Sequence, residues 1–263
     1  MRFVILVIAI LLIVSTPIFA FDTKGLVLWL VLYYNFDEGS GKVAKDASGN
    51  KNDGEIQGKV EWVAGKYGKA LDFSDSDAKN QVFVKDSDSL DITDQITMSA
   101  WVNIKTFPDI YCAILSKNNT YMLHSDVQTN PKEARTDPLV WVGGAFGTWP
   151  SSAVASIKLG EWHHIAGVYD GKEIRSYLDG VMAGSIEKSG KIDATTGDLV
   201  IGRDNRSGCD TRKCAQTIDE VMIFGRALSE DEVKQIMAGG MSAFAVDAGR
   251  KLTSSWGYLK SNY

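Results

Sequence analysis

Apolar and polar positions recur along this chain in short blocks, most of them alternating with a period of two. In one block Ile96, Met98, Ala100, Val102 and Ile104 fall on one side, while Thr97, Ser99 and Asn103 fall on the other. That pattern predicts a strand with one face in a core. Leu26–Phe36 is instead an unbroken apolar and aromatic run, predicting a first strand covered on both faces. Further strands are predicted at Gln81–Val84, Leu139–Phe146, Trp162–Tyr169, Ile174–Leu178, Leu199–Gly202 and Ile218–Phe224. Turn chemistry separates them, as at Ser48-Gly49-Asn50, Asp53-Gly54 and Asp170-Gly171. Asp179-Gly180 joins two β-rich stretches by a two-residue loop, where positive φ at both positions suits a type I′ hairpin. Strands at this spacing predict an all-β sandwich rather than a βαβ fold.

One helix is predicted near the end. Ser229 and Glu232 form a capping box, Val233, Ile236 and Met237 make an apolar stripe, and Gly239-Gly240 stops the helix. Residues 241–263 follow as a tail outside the expected domain, which spans 26–240.

The N-terminus adds an address. Arg2 precedes an unbroken apolar run from Phe3 to Val14, Pro17 breaks it, and Ala20 offers a small residue for cleavage. Residues 1–20 therefore read as a signal peptide, which predicts a secreted or periplasmic protein. The rival reading is a membrane anchor, disfavoured by the short apolar core. Beyond this segment no membrane contact is expected. The chain carries a net charge of −5, which argues against nucleic acid and anionic membrane as partners.

Export changes the meaning of the three cysteines. Cys209 and Cys214 flank four polar residues and are expected to form a local disulfide in an oxidising compartment. Cys112, among apolar residues, is expected to be free and buried. His163 and His164 are neighbours on one predicted strand, so their side chains point to opposite faces and are read as structural rather than as a metal pair.

Several segments together resemble a known family. They are Asn35-Phe36-Asp37-Glu38-Gly39-Ser40-Gly41, Gly65-Lys66-Tyr67-Gly68-Lys69-Ala70-Leu71-Asp72-Phe73, Ile96–Val102, Gly160-Glu161-Trp162-His163-His164, Tyr177-Leu178-Asp179-Gly180 and Ile218-Asp219-Glu220-Val221. In this order they resemble laminin-G-like, concanavalin A-type jelly rolls over roughly residues 26–238. The resemblance implies a two-sheet antiparallel jelly-roll sandwich with one short C-terminal helix, whose last strand runs beside the first. It also implies binding of glycans or extracellular proteins, often with calcium. Asp37, Asn52 and Asp219 offer hard oxygen ligands for such an ion, although Asp and Asn in turns also serve the backbone.

Three functions remain open: a non-catalytic module for carbohydrate or matrix ligands, a structural or adhesive protein–protein module, and a polysaccharide hydrolase. No strand shows the acid-x-acid-x-x-acid pattern that places two carboxylates on one face, which favours binding over chemistry. For the binding module the expected ligand residues are Tyr121, His124, Trp141 and Trp149, aromatics in what reads as a long irregular segment over 121–150.

Overall fold

The computed structural model describes residues 23–74, 79–106, 111–126, 135–146, 157–209, 212 and 214–239. Sixteen strands among them, numbered β1 to β16 along the chain, form two antiparallel sheets. Sheet A runs β14 (Val181–Glu187), β13 (Glu173–Leu178), β12 (Trp162–Tyr169), β7 (Ile96–Thr106), β16 (Ala215–Phe224), β5 (Lys69–Asp72), β4 (Glu61–Ala64). β1 (Leu30–Tyr34) also pairs with β16, so first and last strands run side by side as expected. Sheet B runs β11 (Ala145–Phe146), β10 (Arg135–Val142), β9 (Tyr121–Asp126), β8 (Tyr111–Lys117), β15 (Leu199–Ile201), β6 (Gln81–Val84), β3 (Gly54–Gln57), β2 (Val43–Ala44).

The core lies between the sheets. The alternating set Ile96, Met98, Ala100, Val102 and Ile104 faces it from β7, against Ile114, Leu123, Val140, Leu199 and Ile201 of sheet B. The sheets approach closely at Gly167, where an added Cβ would lie 2.2 Å from Cβ of Pro138. The outer face of sheet A is covered too. Helices α1 (Thr23–Leu28) and α2 (Glu230–Gly239) bring Leu26, Val233 and Ile236 onto Ala166, Val168, Tyr177, Met222 and Phe224.

Local signals hold at several points. Asp179 and Gly180 both take positive φ, 50° and 78°, between β13 and β14. Ser229 Oγ accepts from the Glu232 N–H, and Glu232 Oε2 accepts from the Ser229 N–H, which is the predicted reciprocal cap of α2.

Three expectations are corrected. The run Leu26–Phe36 is split, since α1 ends at Leu28 and only Leu30–Tyr34 is strand. The segment over 121–150 is regular across its described part, forming β9, β10 and β11. Finally, Cys214 bonds Cys112, not Cys209, and Cys209 is free. Sequence spacing favoured the near pair, but topology brings β8 beneath the start of β16, with Cα atoms 5.2 Å apart and both sulfurs in the core. Cys209 instead sits in a polar turn, its N–H donating to Arg206 O and its carbonyl accepting from Arg212 N. The bond therefore ties sheet B to sheet A rather than stapling one loop. The signal segment, the tail 241–263 and Trp149 lie outside the described residues.

Candidate functional site

Of the predicted ligand residues, Tyr121, His124 and Trp141 are inside the molecule. Along β9 and β10 alternate side chains face the core or the outer side of sheet B. Tyr121 faces the core, its hydroxyl donating to Leu90 O. His124 and Trp141 share the outer side, yet both are buried, Trp141 with only 5% of its surface exposed. Trp141 packs with Met122 and Leu139, and the Arg206 guanidinium lies 5.2 Å from its ring centre. Tyr111 meets His124 edge-on, with Arg212 over the Tyr111 ring. The turn carrying Arg206 and Arg212 thus folds over this part of sheet B. Burial lowers the His124 pKa to about 4, so the ring is neutral at physiological pH.

The same face holds two carboxylates that sequence reasoning missed. Asp126 accepts from Arg135 Nε at 2.7 Å. Asp137, opposite His124 in the β9–β10 register, is fully buried and neither of its oxygens accepts a hydrogen bond. Burial, with the neighbouring Asp126 carboxylate adding to it, pushes the Asp137 pKa up to about 9. A protonated Asp137 can donate to Asp126, which relieves both groups. Strand alternation carried the signal for this pair, but only once β9 and β10 were known to be strands.

The three residues expected to hold calcium each have hydrogen-bond partners within the protein. Asn52 turns to Ser87 and Ser89 and donates to Val31 O. Asp37 accepts from the Lys69 N–H at 3.0 Å, and Asp219 from the Tyr67 N–H at 3.0 Å. Asp219 pairs with Trp101 at the edge of a bulge in β16 against β7, and Glu220 within it takes φ of 50°. Burial raises Asp219 to about 7 and Glu220 to about 8, and Asp37 adds to both shifts. Among the described residues no three Asp, Glu, His or Cys side chains group together so as to hold a metal ion. His163 bridges Asp179 and the Lys158 N–H, while His164 packs edge-on against Trp101.

What the surface does offer is a cleft beside Trp29. Trp29 has its aromatic ring half in solvent, with 52% exposure. The break between α1 and β1 turns it outward: its N–H donates to Leu26 O and its carbonyl accepts from the Gly225 N–H. The ring rests beside Gly225, where an added Cβ would lie 3.9 Å from ring Cε3. The cleft measures ≈ 620 Å³ and is floored by Trp29, Leu30 and Ile92, with Asn50, Asp94, Gln95 and Arg226 among its polar lining. That size and mixture suit a small ligand. A second cleft, ≈ 460 Å³, lies at the β3–β6 edge of sheet B, lined by Lys42, Glu55, Gln57, Gln81 and Arg203 without an aromatic ring.

The family model described as the concanavalin A-like lectin/glucanases superfamily matches residues 76–234, more than half of the chain. The chain belongs to this superfamily. Solved structures of similar fold include the binding domain of Paraclostridial Mosquitocidal Protein 1, 18% identical, with TM-score 0.64, covering 81% of this chain and 52% of that one. Domain 4 of AbnA, a GH43 extracellular arabinanase from Geobacillus stearothermophilus, solved in complex with arabinotriose, is 20% identical, with TM-score 0.63, covering 80% and 98%. A botulinum neurotoxin type C structure, whose cell entry depends on two ganglioside molecules, is 10% identical, with TM-score 0.61, covering 82% and 52%. The superfamily chain spans about half the length of the toxin structures it matches. No match was found among curated protein sequences.

Proposed function

We propose that this protein is an exported, non-catalytic glycan-binding module that takes its ligand on Trp29. The observation that carries the reading is the half-exposed indole in a cleft that mixes apolar side chains with Asn50, Asp94, Gln95 and Arg226. Sugar rings present apolar C–H faces that stack on an aromatic surface, while their hydroxyls need polar groups around that surface. The arabinotriose complex of a domain that matches this fold over nearly its whole length supports a saccharide ligand. A signal-like segment at 1–20 and a disulfide between the sheets both suit an oxidising, extracytoplasmic compartment. Against chemistry, the carboxylate pair on sheet B is buried, and Asp126 is held by Arg135.

A glycan array probed with the wild type and with Trp29→Ala tests this. The wild type is expected to bind a defined set of saccharides that the variant loses while keeping its melting temperature. Equal binding by both proteins, or no saccharide bound by either, overturns the reading.

A further inference from the structure

The hydrogen-bonding state of the cleft separates two kinds of saccharide, and this step rests on the glycan reading above. A ligand bearing carboxylate, sulfate or phosphate needs uncommitted donors, above all cations. The cleft's one lining cation is Arg226, and its charge is already paired with Glu232. Its guanidinium nitrogens donate to both carboxylate oxygens of Glu232, at 2.9 and 2.7 Å, and to Ala227 O at 3.2 Å. The Asn50 amide nitrogen donates to Leu30 O and Val31 O, at 2.9 and 3.0 Å. The Gln95 amide nitrogen donates to Asp170 O and its oxygen accepts from the Ala227 N–H.

Acceptors, in contrast, remain. Asp94 takes one hydrogen bond from Thr93 and a long contact of 3.4 Å from Lys191, an exposed pair in which both side chains stay in water. A carboxylate has about four acceptor sites, so Asp94 keeps capacity for hydroxyl donors. Among the described residues Asn50 engages through its N–H and amide nitrogen, as a donor. The cleft therefore combines an indole face, acceptors, a carboxylate and no free lining cation.

We infer that the Trp29 cleft selects neutral saccharides, whose hydroxyls donate to Asp94 and Asn50, and rejects acidic ones. An acidic sugar placed there would face Asp94 with no unpaired cation to offset it, and like charges at short range are costly. The fold's neighbours do not decide this point, since one was solved with arabinotriose and another depends on gangliosides.

Calorimetric titration with arabinotriose, cellotriose and xylotriose, set against 3′-sialyllactose, trigalacturonic acid and a sulfated chondroitin tetrasaccharide, provides the test. At least one neutral probe is expected to bind, with an affinity unchanged within two-fold between 50 and 500 mM salt and reduced about ten-fold or more in Asp94→Ala. Binding of acidic probes that needs Trp29 and weakens steeply with salt overturns the selectivity while leaving the glycan reading intact. Binding of any probe that survives Trp29→Ala, or no binding at all, overturns the glycan reading itself. Should Asp94→Ala lower the melting temperature, Asp94→Asn serves instead; unchanged neutral binding in both variants overturns the role of the carboxylate.

Discussion

Asp137 is expected to weaken the fold at neutral pH, so Asp137→Asn should strengthen it. The residue is fully buried between Asp126 and His124, and its carboxyl carries a pKa near 9 against an ordinary 3.8. The folded state therefore keeps a proton that the unfolded chain releases above pH 4. Stability falls as pH rises through the interval from about 4 to 9, by ~1.4 kcal/mol per unit at most. At pH 7 the accumulated cost approaches about 4 kcal/mol as an upper bound. Asparagine keeps the size of the neutral acid and can still donate to Asp126, but has no proton to lose. The variant should thus gain roughly 2–4 kcal/mol at pH 7 and almost nothing at pH 4. Asp219 and Glu220 also carry raised pKa values, but they titrate in both proteins and cancel in the difference. Urea unfolding of both proteins at pH 4, 5.5, 7 and 8.5 reads the effect directly. Parallel stability curves, or a variant less stable than wild type at pH 7, would refute the reasoning.

The remaining predictions concern the two sheets and the ion. Reduction of Cys112–Cys214, which spans 102 residues of sequence, should cost up to about 5 kcal/mol, and peptide mapping under non-reducing conditions should find Cys209 alone alkylated. A mapped Cys209–Cys214 pair would contradict the topology. Gly167→Ala should cost roughly 1–3 kcal/mol in urea unfolding, because Pro138 occupies the space the methyl needs. An unchanged midpoint would show that the sheets have slack there. Calcium at Asp37 and Asp219 without Asn52, completed by backbone oxygens, is what the family resemblance leaves as a proposal. It predicts stabilisation of ~2.7 kcal/mol at 100 times the dissociation constant, lost in Asp219→Asn. A melt insensitive to both calcium and chelator rules it out.

The parts of this fold that could be read from sequence were those where one local rule acts alone. β7 alternates cleanly because one face meets the core, and the Asp179-Gly180 hairpin and the Ser229–Glu232 cap depend only on adjacent residues. Failures came where tertiary structure overrides the local pattern. β9 and β10 carry His124, Asp126 and Asp137 on an outer face, so their composition looks like that of a loop. The turn bearing Arg206 and Arg212 lies over that face, and the polar side chains become buried. Trp29 fails in the opposite direction. It sits inside an apolar run that reads as a buried strand, yet the α1–β1 junction turns it and Leu28 to the surface, with exposures of 52% and 70%. Exposure at a junction leaves no mark in hydrophobic periodicity. The disulfide was missed for a related reason, since a bond across 102 residues depends on sheet topology and not on spacing.

Two tryptophans divide the account most directly, and calorimetry of Trp29→Ala and Trp141→Ala against one array-selected saccharide tests it. Trp29→Ala should keep the melting temperature within a degree or two and lose about 2 kcal/mol or more of binding, roughly thirty-fold in Kd. Trp141→Ala should lose roughly 3–5 kcal/mol of stability, as expected for a buried ring, with the protein that remains folded binding as the wild type does. Full affinity in Trp29→Ala, with affinity lost in a stable Trp141→Ala, would move the site to sheet B and contradict the account.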